Sequence, residues 1–554
     1  MPRAQPKEIR RRFEALKFDR TTWEPQWQDI RDFILPDAGA FSGEDVREGG
    51  KRFRKIMNAE ATSCADMLAA GLLGGVSSPS RPWLRLTTND ATLDESPAVK
   101  QWLEAVRVRM MMIFAKAEVY NQLHQSYLEL PVFGTACTLV RAHPEDLIAL
   151  QNLTIGEYWL ADDEFGRIDT LYRRFEITAK QVIQRWGWEK VSPMVRTAYE
   201  ADPWTKIGII HAIEPRLERD EMKRDNLNKQ WRSVYFEENG ADDAPVLNES
   251  GFDDFPALCP RWFTAGGSVY GRGPGAKALS AAKSLQRIEA RLAHIADLMS
   301  NPPVQYPASA SGYLSQFRPG GRIPVAAGES QAIRTAWEAN LDMQGLLTLL
   351  AASTAQIQKI FYANLFQMIA GTTAQGDRTA TEVQALEQEK VLMLGPVLER
   401  LHTEMLDPLV TQTFTRMVET GDIPEVPPEL AERELSVEYI SVLAAQQNSA
   451  NVNSIVRLTQ QIGMLAQLNP NALDKLDVDT TIDELADMYG VPPSMIVAGD
   501  QVALIRRQRA DQQAQAQQME QLQQGASAIK DMAAASDSPS MQEVMSNLGT
   551  GGAI

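Results

Sequence analysis

Apolar residues recur at helical spacing over the first 130 residues of the chain. The run from 59 to 73, rich in Ala, Leu and Met, predicts a helix that breaks at Gly74 and Gly75. A second helix is predicted from Pro97 to about residue 114, because proline is well tolerated at the first helical position. The intervening SSPSRPWLRL contains two prolines that exclude a helix, so Trp83 and Leu84 should lie on an extended segment docked on a core.

Short runs rich in Val, Ile, Tyr, Trp and Thr, separated by turn residues, predict a strand-rich section over residues 131–275. Within it, residues 237–254 hold seven acidic residues and no basic one, which predicts a solvated loop. Gly271, Gly273 and Gly275 form G-x-G-x-G directly before a helix. Because this pattern lacks the final spacing of a dinucleotide-binding fingerprint and contains a proline, we interpret it as a hinge into the helix.

Two long helices around a proline-rich break are predicted next. The first covers residues 276–300 and, at a rise of ~1.5 Å per residue, is roughly 37 Å long. Prolines end it, so residues 301–329 should be irregular or short-stranded, and a second helix should cover 330–370. Apolar residues at spacings of three and four form a seam along the first helix, which predicts packing in a core or between subunits. This seam includes Leu285, Ile288 and Leu292.

The remainder of the chain is predicted to be helical with polar connections. Residues 371–378 form a compact polar loop, and a capping box at Thr379 opens a helix that reaches about residue 420, with a kink at Gly395. From 421 onwards short polar linkers alternate with helices. Nine glutamines between residues 508 and 524 cannot form a core, so this part should be a solvated or oligomer-packed helix followed by a disordered tail.

Composition and charge narrow the class of protein. With 554 residues, 44% hydrophobic and 23% charged, the chain is long enough for several domains. Its formal net charge of -17 argues against a general nucleic-acid coat protein, which would need a basic face to replace phosphate counterions. The charge is unevenly distributed, since residues 261–370 carry a net charge of +5 and residues 421–500 a net charge of -10. The chain therefore has a mildly basic central part and an acidic later part.

A search for chemistry-bearing motifs yields no catalytic residues. The chain has no P-loop, no HExxH, no G-x-S-x-G elbow and no EF-hand loop, so we expect no cofactor and no metal site. The cysteines Cys64, Cys137 and Cys259 stand far apart without CxxC spacing, which predicts neither a disulfide framework nor a zinc site and favours a reducing compartment. No apolar run is long enough for a signal peptide or a membrane span. A chain of this size without such motifs is more often an assembly component than an enzyme.

Nine segments stand in order from about residue 10 to 510: WEPQWQDIRDFILPDAG, SSPSRPWLRL, VFGTACTLV, IGEYWLADDEFGRIDTLYRRFEITAKQ, PRWFTAGGSVYGRGPGAKAL, RTATEVQALEQEK, LGPVLERLHTEMLDPLV, GDIP and VEYISVLA. In this order they resemble the portal, or head-to-tail connector, proteins of short-tailed bacteriophages (podoviruses). The resemblance implies a homo-oligomeric ring, usually of twelve subunits, at one capsid vertex of the virion, assembled in the host cytoplasm. Double-stranded DNA passes through such a ring during genome packaging and ejection, and its partners are the terminase, tail adaptor proteins, and major capsid and scaffolding proteins.

The resemblance also implies a fold class and a layout. The class is α+β, predominantly helical, with the clip, stem, wing and crown of a portal subunit. On this layout the wing consists of a helical part (1–130), a strand-rich section (131–275) and a long kinked helix (379–420). The stem consists of the helices 276–300 and 330–370, and the clip lies between them at 301–329. The channel loop is 371–378, the crown is 421–507, and a Gln-rich helix and tail follow over 508–554.

Two pairs of residues become site candidates through this layout. Arg378 and Gln375 lie in the loop that the resemblance places in the channel, where they would touch the DNA backbone. The alternative is a simple helix-joining turn in which Arg378 pairs with a neighbouring carboxylate. Arg318 and Arg322 lie in the implied clip, where a terminase motor or tail protein would dock, and their alternative role is to keep a loop soluble.

A basic stripe on the first stem helix is the third candidate. Lys283, Arg287 and Arg291 recur every four residues and would line the DNA channel, bridge to Glu289 and Asp297 of neighbouring subunits, or form a solvated helix face. Two other classes of protein remain open from sequence. One is a different phage structural component, such as a scaffold or tail adaptor, and the other is a multi-domain enzyme with an unrecognised site.

Overall fold

The structure is a computed structural model in which helices outnumber strands, so the expected α+β class is confirmed at this coarse level. It divides into two compact units, one formed by Met1–Asp94 with Gln101–Gln447 and the other by Glu95–Lys100 with Asn448–Ile554. The described residues are 6–41, 52–88, 90, 93, 96–223, 225–241, 244, 246–300, 304–305, 334–335, 343–369, 394–430, 435–439, 455–465, 476–489, 497 and 499–536.

The described part of the chain forms fifteen helices, with a short 3₁₀ turn at Arg52–Lys55 and a π-helical turn, His402–Leu406, joining α11 to α12. The helices are α1 (Pro6–Arg20), α2 (Glu24–Phe33), α3 (Glu60–Val76), α4 (Pro97–Lys116), α5 (Val119–Phe133), α6 (Ala179–Trp186), α7 (Pro193–Ala201), α8 (Pro274–Ser300), α9 (Met343–Ile360), α10 (Ala363–Ile369), α11 (Gly395–Leu401), α12 (Asp407–Thr420), α13 (residues 455–465), α14 (Val478–Tyr489) and α15 (Gly499–Ser536).

The described strands pair antiparallel in sheets ordered β4-β5-β6-β7-β8, β3-β2-β9, β1-β12 and β10-β11. They are β1 (Leu84–Thr88), β2 (Cys137–His143), β3 (Leu147–Leu153), β4 (Tyr158–Asp162), β5 (Ile168–Thr178), β6 (Lys206–Pro215), β7 (Trp231–Glu237), β8 (Asn248–Phe252), β9 (Ala257–Leu258), β10 (Val304–Gln305), β11 (Arg334–Thr335) and β12 (Leu435–Tyr439).

The five-stranded sheet is covered on both faces because successive side chains of a strand point to opposite sides. Phe13 of α1 packs on one face, against a cluster that includes Tyr172 and Ile210. Val182 of α6 and Val195 of α7 pack on the other face. A separate helical core forms where α3 contacts α5, α9 and α10 and where α5 contacts α8. The predicted strand-rich section and the core-docked segment at Trp83 are both confirmed.

The predicted break at Gly74 and Gly75 is wrong, since α3 continues to Val76. Glycine costs a helix only about 1 kcal/mol relative to alanine, and the buried Leu68 and Leu72 hold this helix in the core. A Cβ atom on Gly74 would meet open space. Such a glycine weakens a packed helix without ending it.

The second long helix, predicted over 330–370, is only partly as expected. Arg334 and Thr335 form β11, paired with β10, so a helix does not begin at 330. The described helix runs over Met343–Ile360, and Tyr362 then takes a left-handed backbone conformation (φ 56°) before α10 begins. Phe361 is fully buried beside this break. The turn therefore carries the chain around the α3 core instead of extending a straight helix.

Other expectations need correction where local composition misleads. The acidic residues 237–254 are not a simple loop, because Asn248–Phe252 is a sheet strand and Glu237 is buried. The strand-rich section also contains α6 and α7, which were not predicted. The section from 421 contains β12, which pairs with β1. Two further predictions, the kink before Gly395 and the polar loop 371–378, lie outside the described residues.

The glycines of G-x-G-x-G serve close packing and not a hinge. Cβ atoms on Gly271, Gly273 and Gly275 would lie 2.3, 2.1 and 2.2 Å from backbone oxygens of the segment 131–134 at the end of α5. Real Cβ atoms do not approach that closely, so each position needs glycine to let α8 begin against α5. The start of α8 is thereby fixed on the rest of its unit.

Candidate functional site

The basic stripe lies on α8, where its three members have different surroundings. The Nζ atom of Lys283 forms an ion pair with Asp29 Oδ2 of α2 at 2.7 Å. Arg287 and Arg291 are exposed, and neither makes an ion pair with a described residue. Lys283 is thus engaged within its own subunit, whereas the two arginines present their charge to solvent. The candidates Gln375, Arg378, Arg318 and Arg322 lie outside the described residues.

A cavity of about 560 Å³ adjoins this stripe and brings in two cations that the sequence analysis missed. Arg54 and Lys55, from the turn Arg52–Lys55, line it together with Lys283 and Arg287. We call these four residues the basic cavity cluster. Its sequence signal is the run KRFRK at residues 51–55, which lies far from α8 along the chain. Only the fold brings the two basic segments together.

Gln286 attaches the segment that carries Arg54 and Lys55 to α8. Its Oε1 accepts the backbone N–H groups of Met57 and Asn58 at 2.6 and 2.9 Å, and its Nε2 donates to the Asn58 carbonyl at 2.8 Å. Glu289 accepts a further hydrogen bond from Asn58 Nδ2 at 2.8 Å. Gln286 is 5% exposed. A buried amide that satisfies three backbone groups is expensive to lose, so it fixes the position of the cluster.

The acidic residues near the cavity neutralise part of this charge. Lys283 pairs with Asp29, and Lys55 Nζ lies 2.5 Å from Asp32 Oδ2. Arg54 and Arg287 make no ion pair with any described residue. The basic cavity cluster therefore keeps an excess of positive charge, which favours an anionic partner such as a phosphate or a carboxylate. Since Glu289 bonds Asn58 of its own subunit, the alternative of Glu289 bridging to a neighbour loses support.

The apolar seam of α8 divides into an inner and an outer part. Leu285 is fully buried, whereas Ile288 and Leu292 are half-buried. Towards the far ends of α8 and α9, large apolar side chains face solvent in the isolated chain: Met299 is 67% exposed, Leu347 48% and Leu349 57%. Exposed apolar groups of this kind commonly mark contact surfaces. Leu285 thus belongs to the subunit's own core, and the outer part is available to a partner.

An ion pair between a buried arginine and a half-buried glutamate joins the strand-rich section to the rest of its unit. Arg261 donates from Nη2 to Glu404 Oε1 at 2.7 Å, and its backbone N–H donates to Glu404 Oε2 at 2.8 Å. Glu404 lies in the π-helical turn between α11 and α12, a local irregularity that directs its carboxylate towards β9. This pair ties the π-helical turn between α11 and α12 to the strand-rich section, and no sequence pattern indicated it.

Two other buried groups have shifted protonation. Burial raises the pKa of Glu129 to about 8, although the backbone N–H of Ile155 donates to its carboxyl at 3.1 Å. Burial, and then the charge of Arg173, lower the pKa of His211 well below its ordinary value. Arg173 Nε donates to His211 Nδ1 at 3.2 Å, so Nε2 carries the proton and donates to Ser233 Oγ at 2.9 Å. Both groups are satisfied inside the fold and do not form a reaction site together.

The described residues contain no group of three or more His, Cys, Asp or Glu side chains placed to hold a metal ion. In that same part of the chain, no helix combines the length and hydrophobicity needed to cross a bilayer. The chemistry that the described surface offers is electrostatic and apolar contact, centred on the basic cavity cluster and the outer ends of α8 and α9.

Comparison with known proteins identifies the class. The family model of the bacteriophage head to tail connecting protein matches residues 6–497. The chain belongs to this connector family. A "Probable portal protein" of Bordetella phage BPP-1 is 46% identical to this connector over 520 residues, which are 93% of each chain. The "Portal protein" of Salmonella phage epsilon15 is 36% identical over 523 residues, 94% of each chain. The resemblance to podovirus portal proteins is thereby confirmed.

One solved structure, titled as the neck of an empty GTA particle computed with C6 symmetry, aligns with 73% of the connector and 86% of its own chain. The two are 13% identical, and the TM-score of 0.35 is too low to support an argument.

The family model ends at residue 497, before the Gln-rich segment that departs from the family pattern. That segment is helical over Gly499–Ser536, and its described side chains face solvent or lie half-buried.

Proposed function

We propose that this connector acts as the portal of a phage capsid: a closed ring of identical subunits, twelve by resemblance, at one vertex. Double-stranded DNA passes through its channel during packaging and ejection, and the ring offers a docking platform first to the terminase and then to tail adaptor proteins. The single observation that carries this proposal is the identity of 46% and 36% to proteins named as portals over 93–94% of the chain. That coverage leaves little room for a different overall role.

The outer ends of α8 and α9 support a ring. Leu347, Leu349 and Met299 leave apolar area in water in the isolated chain, and burying it stabilises association by roughly 25 cal/mol per Å². Heterologous contacts close into a ring when the rotation between neighbours divides a full turn. We propose that these outer ends meet the neighbouring subunit, while Leu285 stays in the subunit core and Ile288 and Leu292 contribute at the boundary.

The direct test is imaging of the purified full-length chain by negative-stain electron microscopy together with its mass in solution. We expect closed rings with a central hole. Leu347→Asp with Leu349→Asp should shift the mass towards the monomer while the far-UV circular dichroism stays unchanged. Leu217→Asp, at a side chain 95% exposed on the connection after β6, is the matched control and should leave the ring intact. A monodisperse monomer for the unmodified chain would contradict the portal proposal.

The basic cavity cluster and Arg291 are the described groups best suited to meet DNA backbone. Arg54, Arg287 and Arg291 carry charge that no described ion pair neutralises, whereas Lys283 is already paired with Asp29. We therefore rank these arginines above Lys283, and we keep Arg378 and Gln375 as channel-loop candidates. Arg318 and Arg322 stay candidates for docking the terminase or a tail protein.

Salt dependence of DNA retention in the assembled ring tests the phosphate contacts. Each phosphate contact removed should flatten the slope of log K against log salt by ~0.9. Arg287→Gln and Arg291→Gln should each reduce the slope, and Arg167→Gln, an exposed arginine in the β4–β5 turn, is the charge-matched control. If all three variants keep the slope of the unmodified ring, the stripe is assigned to subunit contacts. Packaging by rings carrying Arg378→Ala, or Arg318→Ala with Arg322→Ala, tests the loop and docking proposals separately.

The main alternative is a scaffold or tail adaptor, which is also structural but forms no DNA channel. Imaging separates these possibilities, because only the portal proposal requires a closed ring with a hole wide enough for duplex DNA. An enzyme with an unrecognised site has less support, because the family is one of structural connectors.

A further inference from the structure

Cys137 and Cys259 lie 122 residues apart in sequence and side by side in the fold. Cys137 begins β2, and Cys259 directly follows β9. The two strands are antiparallel, with Thr138 opposite Leu258. The next pair along this register is Cys137 with Cys259. Their Sγ atoms are 3.6 Å apart, and both side chains are buried.

Hydrogen bonding between the strands defines the type of this pair. The backbone N–H of Ala136 donates to the carbonyl of Pro260 at 3.2 Å, so the hydrogen-bonded pairs flank the cysteines. Cys137 and Cys259 therefore form a non-hydrogen-bonded pair, in which Cα atoms are closest, ~4.5 Å apart, and the side chains approach each other. That spacing lies within the ~4.4–6.8 Å range that a disulfide accepts. Small side-chain rotations can close the gap from 3.6 Å to the ~2.05 Å of an S–S bond.

We propose that Cys137 and Cys259 are a modification site: a dithiol that becomes an intramolecular disulfide on exposure to an oxidant of the peroxide class. In the first step one thiol attacks the peroxide O–O bond, gives a sulfenic acid and releases water. The second thiol then displaces the sulfenic hydroxyl as a second water, and the S–S bond forms. Overall, two thiols lose two hydrogens and one peroxide is reduced to two waters.

The place of the pair in the fold gives the bond a mechanical consequence. Cys137 stands where the chain enters the strand-rich section from α5, and Cys259 stands shortly before the chain returns to α8. A covalent bond there joins the two ends of the section at its base. It prevents β2 and β9 from separating. The two ends of the strand-rich section would then be held together covalently, between α5 and α8.

The chemical surroundings favour slow, conditional oxidation. Burial raises the pKa of the Cys137 thiol well above its ordinary value, and only the thiolate attacks an oxidant efficiently. The pair therefore stays reduced where thiol reductants are abundant and closes over long exposure to peroxide. This setting rests on the proposed function, since a phage connector is assembled inside a host and then leaves it in the virion. The chemistry itself does not depend on that role.

Cys64 is an internal control, because it is buried in α3 and its thiol lies 3.6 Å from Glu60 Oε1 rather than beside another described cysteine. The experiment incubates the full-length chain with hydrogen peroxide and counts free thiols after denaturation. We expect three thiols to fall to one, and to return to three after treatment with dithiothreitol. Peptide mapping should find the segments around Cys137 and Cys259 linked. The Cys64→Ser chain should fall from two thiols to none.

The Cys137→Ser and Cys259→Ser chains should form no linked peptide and should lose the rise in melting temperature that oxidation gives the unmodified chain. A chain that keeps three thiols at the end of oxidation overturns the proposal. Irreversible loss of thiols without a linked peptide, as in sulfinic or sulfonic acid formation, also overturns it. These measurements do not require ring formation. Failure of the portal proposal and failure of the disulfide proposal are therefore distinguishable.

Discussion

Glu129 should make the stability of this connector fall as the pH rises through neutrality. Glu129 is 6% exposed near the end of α5, and burial raises the pKa of its carboxyl from 4.5 to about 8. Between these two values the folded state holds a proton that the unfolded state has released. Because the folded state binds more protons there, the free energy of unfolding decreases with increasing pH. A tenfold change in a protonation equilibrium is worth about 1.4 kcal/mol, so the full effect is up to about 5 kcal/mol.

The Glu129→Gln variant removes the ionisation and keeps an oxygen that can accept the Ile155 N–H. We expect the variant and the unmodified chain to have similar urea midpoints at pH 5, where Glu129 is neutral in the folded state. At pH 8 to 8.5 the variant should be more stable by roughly 3–5 kcal/mol. Comparing midpoints between the two chains avoids the assumption that a multi-domain chain unfolds in one step.

Glu164→Gln is the matched control for this prediction, because Glu164 is exposed in the β4–β5 turn. Its urea midpoint should follow that of the unmodified chain at every pH. The reasoning is refuted if the Glu129→Gln and unmodified curves stay parallel between pH 5 and 8.5. A variant that is less stable at pH 8 would also refute it, since it would mean that the ionised carboxylate stabilises the fold.

Three further predictions concern the packing and charges of the same unit. Gly74→Ala should raise the melting temperature by the equivalent of about 0.5–1 kcal/mol, because the new methyl group meets open space in a helix interior. Gly71→Ala should lower the melting temperature, because its Cβ would lie 2.1 Å from a phenylalanine ring. Glu404→Gln should lower the free energy of unfolding in urea by about 2–3 kcal/mol. If the ion pair is the cause, a double-mutant cycle should show that most of this loss disappears when Arg261 is already replaced by Met. Below about pH 6.5 the unfolded histidine binds a proton that the buried His211 of the folded state does not bind, so His211→Gln should reduce the loss of stability in this range. An unchanged loss of stability at acid pH would show that carboxylates control it.

Sequence patterns predicted those parts of the fold in which one segment carries its own signal. The strand-rich section followed from β-branched and aromatic runs, and α8 followed from its apolar seam. The strand β12 was missed although Leu435, Val437 and Tyr439 alternate as in a half-buried strand. Acidic neighbours concealed that alternation. The helix α6 was also missed, although Thr178 and Gln181 form a complete capping box at its N-terminus.

The candidate site was only half accessible from sequence. The spacing of Lys283, Arg287 and Arg291 gave a stripe on one helix, but it could not show that Asp29 of α2 already neutralises Lys283. The same limit applied to Arg54 and Lys55, because their segment is held against α8 by hydrogen bonds from Met57 and Asn58 to Gln286 and Glu289. Such contacts bring together residues that are distant in sequence, and hydropathy and charge patterns do not predict these contacts.

The pairing of β1 with β12 has a consequence for how the protein is made. Leu84 is opposite Tyr439, and Thr88 is opposite Leu435, so one strand waits for a partner encoded about 350 residues later. At a synthesis rate of ~5–20 residues per second, that interval lasts roughly 20–70 s. During this time a segment carrying Trp83 and Leu84 has an open hydrogen-bonding edge, which invites pairing with another chain. Production of this connector should therefore depend on chaperone capacity and on how densely ribosomes are loaded on its message.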